Sequence, residues 1–77
     1  MSVLLSEVGL RKKYRITKVQ NSPIRPRLLE MGILVGTKVE VIRRSPFNDP
    51  IEILVGGDFF IGLRKKEAEN IEVQLSN

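Results

Sequence analysis

Arg27-Leu28-Leu29-Glu30-Met31-Gly32, then Ile33-Leu34-Val35-Gly36, then Thr37-Lys38-Val39-Glu40-Val41: this stretch carries two hydrophobic periods in succession. Leu28, Leu29 and Met31 are spaced to put apolar groups on one side of a short helix, with Arg27 and Glu30, three apart, on the other. Gly32 follows as a stop, because glycine tolerates the positive φ of a left-handed helix cap. Gly36 suits the position of a tight turn that needs positive φ. The period then becomes two, with Val39 and Val41 on one face and Lys38, Glu40 and Ile42 on the other. A short helix is stopped, turned and fed into a strand, and the remaining segments are read as packing around that corner.

Working outward, Val3, Leu4, Leu5 and Val8 suit a first strand or a single helical turn, with Ser6 as a plausible cap and Gly9 as its end. Tyr14, Ile16 and Val19 alternate with one break, which predicts a bulged strand from Lys13 to Val19. Asn21-Ser22-Pro23 marks a turn, Ser22 is a candidate cap for the helix, and Pro26 fits its first turn. Downstream of the second strand, Ser45-Pro46-Phe47-Asn48-Asp49-Pro50 is a turn-rich connection in which Asp49 and Pro50 are structural turn residues. Ile51, Ile53 and Val55 form a strand, Gly56-Gly57 with Asp58 a hairpin turn, and Phe59 to Leu63 the return strand. Gly62 within it predicts a bulge or sharp bend. Arg64 to Glu69 makes one helical turn, and Ile71, Val73 and Leu75 close the series as a last strand. The expectation is a mainly β, SH3-like barrel of about five antiparallel strands, with one short helix between the first and second, as one domain over residues 1–77.

At 77 residues the core is small, and with no cysteine neither disulfides nor thiolate-bound metal can supplement it. With no histidine either, the usual catalytic triads cannot be assembled, and no phosphate-cradling glycine loop is present, so an enzyme is not expected. The apolar runs are far short of the roughly 18–20 residues that cross a bilayer, and no secretory leader pattern opens the chain; direct membrane insertion is not expected and a cytoplasmic location is. The net charge of +4, from 13 Lys and Arg against 9 Asp and Glu, permits an anionic partner without demanding one. Its clusters, Arg11-Lys12-Lys13, Arg43-Arg44 and Arg64-Lys65-Lys66, read first as solvated surface.

An oxygen-only metal site from Asp49 with Glu52, or from Glu67, Glu69 and Glu72, is weighed below solvated side chains. Phe47 is expected to fold back over the barrel end, the alternative being an exposed anchor for a partner. Leu28 and Met31 share a side of the helix, which leaves Leu29 at its edge.

The blocks Arg27 to Gly32 with Gly36, Ser45 to Pro50, and Leu63 to Ala68 with Ile71 and Val73, in that order, resemble the FeoA family, ferrous iron transport protein A. The match runs from about Leu5 to Val73; departures are Val35, where the family carries proline, and Pro26, which shortens the helix. The resemblance implies an SH3-like barrel and a cytoplasmic accessory or regulatory protein of ferrous iron uptake. Its partner would be the cytoplasmic region of a FeoB-type membrane transporter with its own GTP-binding domain. FeoA-type domains also end repressors of the diphtheria-toxin-repressor type, but no helix-turn-helix precedes this barrel, which favours the stand-alone accessory. The partner-binding candidates are Leu28, Leu29, Met31, Phe47, Arg64 and Glu67. Each has a structural reading as well: Arg64 can pair with a neighbouring carboxylate, Gly32 caps, and Asp49 holds its turn. No cofactor and no directly bound iron are expected, since no nitrogen ligand is offered. Exposed strand edges allow a homo-oligomer. Two rivals stay open: an RNA-binding barrel, against which the few aromatics stand outside the basic clusters, and a metal-sensing regulatory domain.

Overall fold

In a computed structural model, which describes residues 2–47 and 49–76, the helix-to-strand corner is built as its residues require. α1 runs Arg25–Glu30 with Pro26 in its first turn. At its end the Ile33 N–H donates to the Leu28 carbonyl (3.0 Å) and the Gly32 N–H to that of Leu29 (3.0 Å). This paired closure is a Schellman motif, and it requires the positive φ of +91° that Gly32 adopts. Leu28 and Ile33, the two residues the motif brings together, are both fully buried.

Gly36, at φ +94°, donates to the Ile16 carbonyl (2.8 Å) and accepts from Arg15 Nη1 (2.6 Å), pinning the turn to the preceding strand. A Cβ at Gly36 would meet nothing within 4 Å. Gly36→Ala is therefore expected to cost about 1 kcal/mol from backbone conformation alone, with no steric contribution. Urea denaturation checks it, and an unchanged midpoint would show that the turn relaxes freely.

The strands are β1 (Val3–Leu4), β2 (Lys13–Val19), β3 (Lys38–Arg44), β4 (Ile51–Val55), β5 (Phe59–Leu63) and β6 (Ile71–Leu75). A 3-10 turn at Leu5–Glu7 follows β1, and a second helix, α2 (Lys65–Ala68), precedes β6. The sheet order is β1-β6-β2-β3-β4-β5 with every pairing antiparallel. There are thus six strands where about five are expected, because the N-terminal segment forms both a two-residue strand and a helical turn. Accordingly α1 lies between β2 and β3, the second and third strands.

Four strands, β2, β3, β4 and β6, turn apolar residues inward: Tyr14, Ile16 and Val19; Val39 and Val41; Ile51, Ile53 and Val55; Ile71 and Val73. With Leu5, Leu28, Ile33, Leu63 and Ala68 they make one core. The break in the β2 alternation is a bulge between Ile16 and Lys18, as the spacing predicts. A second register shift falls between Val41 and Arg43. Beyond it the Arg44 guanidinium donates to the carbonyls of Ser6 and Val8, tying down the 3-10 turn.

Several local expectations are corrected. Gly62 is not a bulge: it pairs in register with Glu52 between Ile61–Ile53 and Leu63–Ile51 pairs. Neither Ser6 nor Ser22 caps a helix. Leu4 and Ile24 occupy the N-cap positions without side-chain bonds, and Ser22 contributes its backbone carbonyl to the Arg25 N–H (3.1 Å). Among the described residues no helix is long and apolar enough to cross a membrane.

Candidate functional site

The three sequence blocks, some 15 to 40 positions apart, are joined through contacts made at α2. α2 is the link. Its buried Glu67 (8% exposed) accepts the Arg64 N–H at Oε1 (2.8 Å) and meets Arg27 Nη1 of α1 at Oε2 (3.3 Å). The next free amide of the helix, Lys65 N–H, is taken by Asp49 Oδ1 from the 45–50 connection (3.1 Å). Asp49 N–H in turn donates to Ser45 Oγ (2.8 Å), and Arg64 Nη1 lies 3.8 Å from Asp49 Oδ1.

A four-residue helix has little stability of its own. Here its first amides, which nothing inside the helix can satisfy, are closed by one carboxylate from within and one from the neighbouring loop. The same carboxylates fasten α2 to α1 on one side and to the loop on the other. The contacts differ in strength. Arg64 and Arg27 are both largely exposed, so their ion pairs are screened and contribute little, whereas the Glu67 bond to the Arg64 amide is sheltered.

On this scaffold the candidate residues divide. Leu28 is fully buried and belongs to the core. Leu29 and Met31 are both half-buried against it, so the edge of α1 is formed by the pair and not by Leu29 alone. Phe47 does not fold back over the barrel end: it is 88% exposed, which corrects the packing expectation. Beside it the Asp49 N–H bonds back to Ser45 Oγ, and Pro46 restricts the backbone on its N-terminal side. Arg64 pairs with Asp49, as its structural reading has it, and Asp49 holds both its turn and the start of α2. Glu52 lies in β4 opposite Gly62, on the face away from the core.

Three of the five carboxylates weighed as metal ligands are engaged within the fold. Asp49 and Glu67 serve α2, and Glu72 accepts a hydrogen bond from Gln20. Among the described residues no three His, Cys, Asp or Glu side chains gather.

Glu67 is a partner-binding candidate in the sequence but its capping role is not read there, and Arg27 is not among the candidates. Glu67 stands third in its helix behind Arg64, the spacing of a capping carboxylate, and that signal was available. Arg27 carried none, since its partner lies forty positions away.

A family model described as the FeoA domain matches residues 3–75. A fusion of Fe(2+) transport protein A with the Fe(2+) transporter FeoB from Porphyromonas gingivalis is 33% identical over 72 residues, 92% of this chain; the chain spans 8% of that relative's length. The FeoA-like protein of Clostridium acetobutylicum superposes with a TM-score of 0.87 at 32% identity, over 96% of this chain and 86% of that one. Stenotrophomonas maltophilia FeoA, solved with zinc and described as an SH3 domain protein, does so at 0.80 and 30%, over 94% and 89%. The SH3-like architecture expected from the strand pattern is therefore the one found, and the ordered blocks at α1, the 45–50 loop and α2 have their counterpart in a domain match that takes in all of them. On that match, and on a third of its residues shared with proteins of the same fold, the chain belongs to the FeoA family, which is linked to ferrous iron transport.

Proposed function

We propose that this chain is a non-enzymatic accessory protein of ferrous iron uptake that acts by binding the cytoplasmic region of a FeoB-type transporter. The face proposed for contact is the end where α1, the Phe47 loop and α2 meet. One observation carries the reading. Three separated blocks are fastened to one another through Glu67 and Asp49, and the fastened surface presents a phenylalanine that the fold itself does not use. An exposed aromatic on a braced loop is a low-entropy anchor, the kind of residue that dominates protein interfaces. Arg64 and Arg27 supply a basic rim, and the half-buried Leu29 and Met31 along α1, the latter beside Phe59, offer a second apolar patch to the same partner. The occurrence of an FeoA portion and a FeoB portion in one polypeptide in Porphyromonas gingivalis supports the choice of partner, because fused segments share a location and a high effective concentration.

Phe47→Ala tests it. The substitution removes no buried contact, so stability is expected to stay within about 0.5 kcal/mol of wild type. Affinity for the cytoplasmic region of the transporter from the same organism, measured calorimetrically in GTP- and GDP-loaded states, is expected to fall at least about tenfold. Wild-type protein that is folded and binds in neither state would end the direct-contact reading. Binding undiminished by Phe47→Ala together with Leu29→Gln would move the contact to another face.

A further inference from the structure

The outer edge of β5 is apolar and exposed. β5 ends the strand order and pairs only with β4 among the described residues. Edge strands in soluble proteins are ordinarily guarded by lysine, proline or a bulge. β5 reads Phe59-Phe60-Ile61-Gly62-Leu63, with no charge, no proline and no register shift, and Phe59 and Phe60 are 66% and 64% exposed.

Gly62 has no intrachain reason to be glycine. Its φ is not positive, it pairs in register, and a Cβ there would come no nearer to any atom than the 4.0 Å separating it from the Ile51 carbonyl oxygen. A glycine inside a strand costs stability, and where the fold does not require it, close approach of another group is the usual reason. Over it lies a depression of about 240 Å3 lined by Arg43, Ser45, Pro50, Ile51, Glu52 and Gly62. An apolar cavity of about 150 Å3 is enough to hold a benzene ring.

We infer that β5 associates with β5 of a second copy of this chain, antiparallel about a two-fold axis at Ile61. In that register Phe60 lies opposite Gly62 of the second copy and seats its ring in the depression. Both residues occupy the sheet face that also carries Leu54 and Glu52, so the two outer faces run on continuously. Phe59 lies opposite Leu63. One step beyond the strands, Asp58 lies opposite Arg64, giving an opposite-charge pair at each end of the interface. The two-fold axis doubles every one of these contacts, which is what an isologous interface requires. A pair of five-residue strands with two seated rings buries on the order of 1,000 Å2 in total, at the low end of specific interfaces, so the dimer is weak and concentration-dependent.

Sedimentation equilibrium from micromolar to millimolar protein tests this, with circular dichroism confirming folding of each variant. Wild type is expected to dimerise reversibly. Asp58→Arg and Arg64→Asp are each expected to weaken association at least about tenfold, and the double exchange to restore it, since only this register sets the two residues opposite each other. Gly62→Val is expected to weaken the dimer by a similar factor while the melting temperature of the monomer holds or rises, valine being a better strand residue. Leu34→Ser, which removes an exposed apolar side chain elsewhere, is expected to leave association unchanged. A wild type that stays monomeric at millimolar concentration would overturn the proposal. So would a dimer indifferent to both single exchanges and to Gly62→Val.

Discussion

Leu28→Ala is expected to lower the unfolding free energy by about 3 kcal/mol, the largest effect of any single substitution considered for this chain. Leu28 is fully buried, and truncating a buried leucine costs about 2–5 kcal/mol through lost transfer energy and the cavity left behind. Little can collapse into that cavity, since Leu28 is flanked by Ile33 through the helix-closing motif and both are held by backbone bonds. A chain of 77 residues has a total stability of roughly 4–11 kcal/mol at the usual contribution per residue, so the variant would keep only part of it. The melting temperature should fall by about 15 °C. Leu29→Gln supplies the contrast: half-buried at the edge of α1, it should cost about 1 kcal/mol or less. Equal losses at the two positions in urea denaturation would mean that α1 does not pack through Leu28.

Glu67→Ala is expected to cost about 2 kcal/mol, and the origin of that loss can be resolved. The carboxylate closes the Arg64 amide from a sheltered position and meets an Arg27 that is largely exposed. Losing a capping acceptor costs about 1 kcal/mol and up to 2, and a hydrogen bond to a charged group in shelter lies at the upper end. The ion pair with Arg27 should contribute under about 1 kcal/mol. Three measurements separate these effects. Glu67→Gln, which keeps an acceptor oxygen, should lose no more than about half as much as alanine. Arg27→Met should cost about 0.5 kcal/mol. Amide hydrogen exchange at Arg64 should accelerate in Glu67→Ala and change little in Arg27→Met. A glutamine variant as unstable as the alanine one would show that the charge, and not the acceptor, holds α2 in place. Because Glu67 fastens two of the three blocks in the proposed transporter face, its alanine variant should also lose affinity there while the Phe47 ring is still present. That outcome distinguishes a braced surface from an isolated aromatic.

The elements that were legible in the sequence are those whose causes are local. The Gly32 cap needs only the few residues before it, and positive φ at Gly32, Gly36, Gly56 and Gly57 follows from residue type at a turn. The β2 bulge was visible because a slipped bulge displaces one member of an alternation, and Tyr14, Ile16 and Val19 record it directly. The β3 shift falls at Ile42, which follows Val41 directly, but the arginines after it supply no further apolar position to show that the register has slipped. Gly62 misled as to a bulge for the converse reason: a glycine within a strand suits a bulge, a bend or a close approach alike, and the register runs through it unbroken.

The sequence by itself determined the mainly β class, the short helix and its stop, the inward residues of every long strand, and the three blocks that mark the family. All of these rest on interactions between near neighbours or on alternation about a single strand. The three-dimensional arrangement alone shows that Phe47 stands in solvent, that Arg27 meets Glu67, that Asp49 closes the start of α2, and that β5 pairs only with β4 among the described residues. Each of those depends on which segments the sheet order brings side by side. Exposure and partnership across some 15 to 40 positions are properties of that arrangement, and no short window of residues contains them.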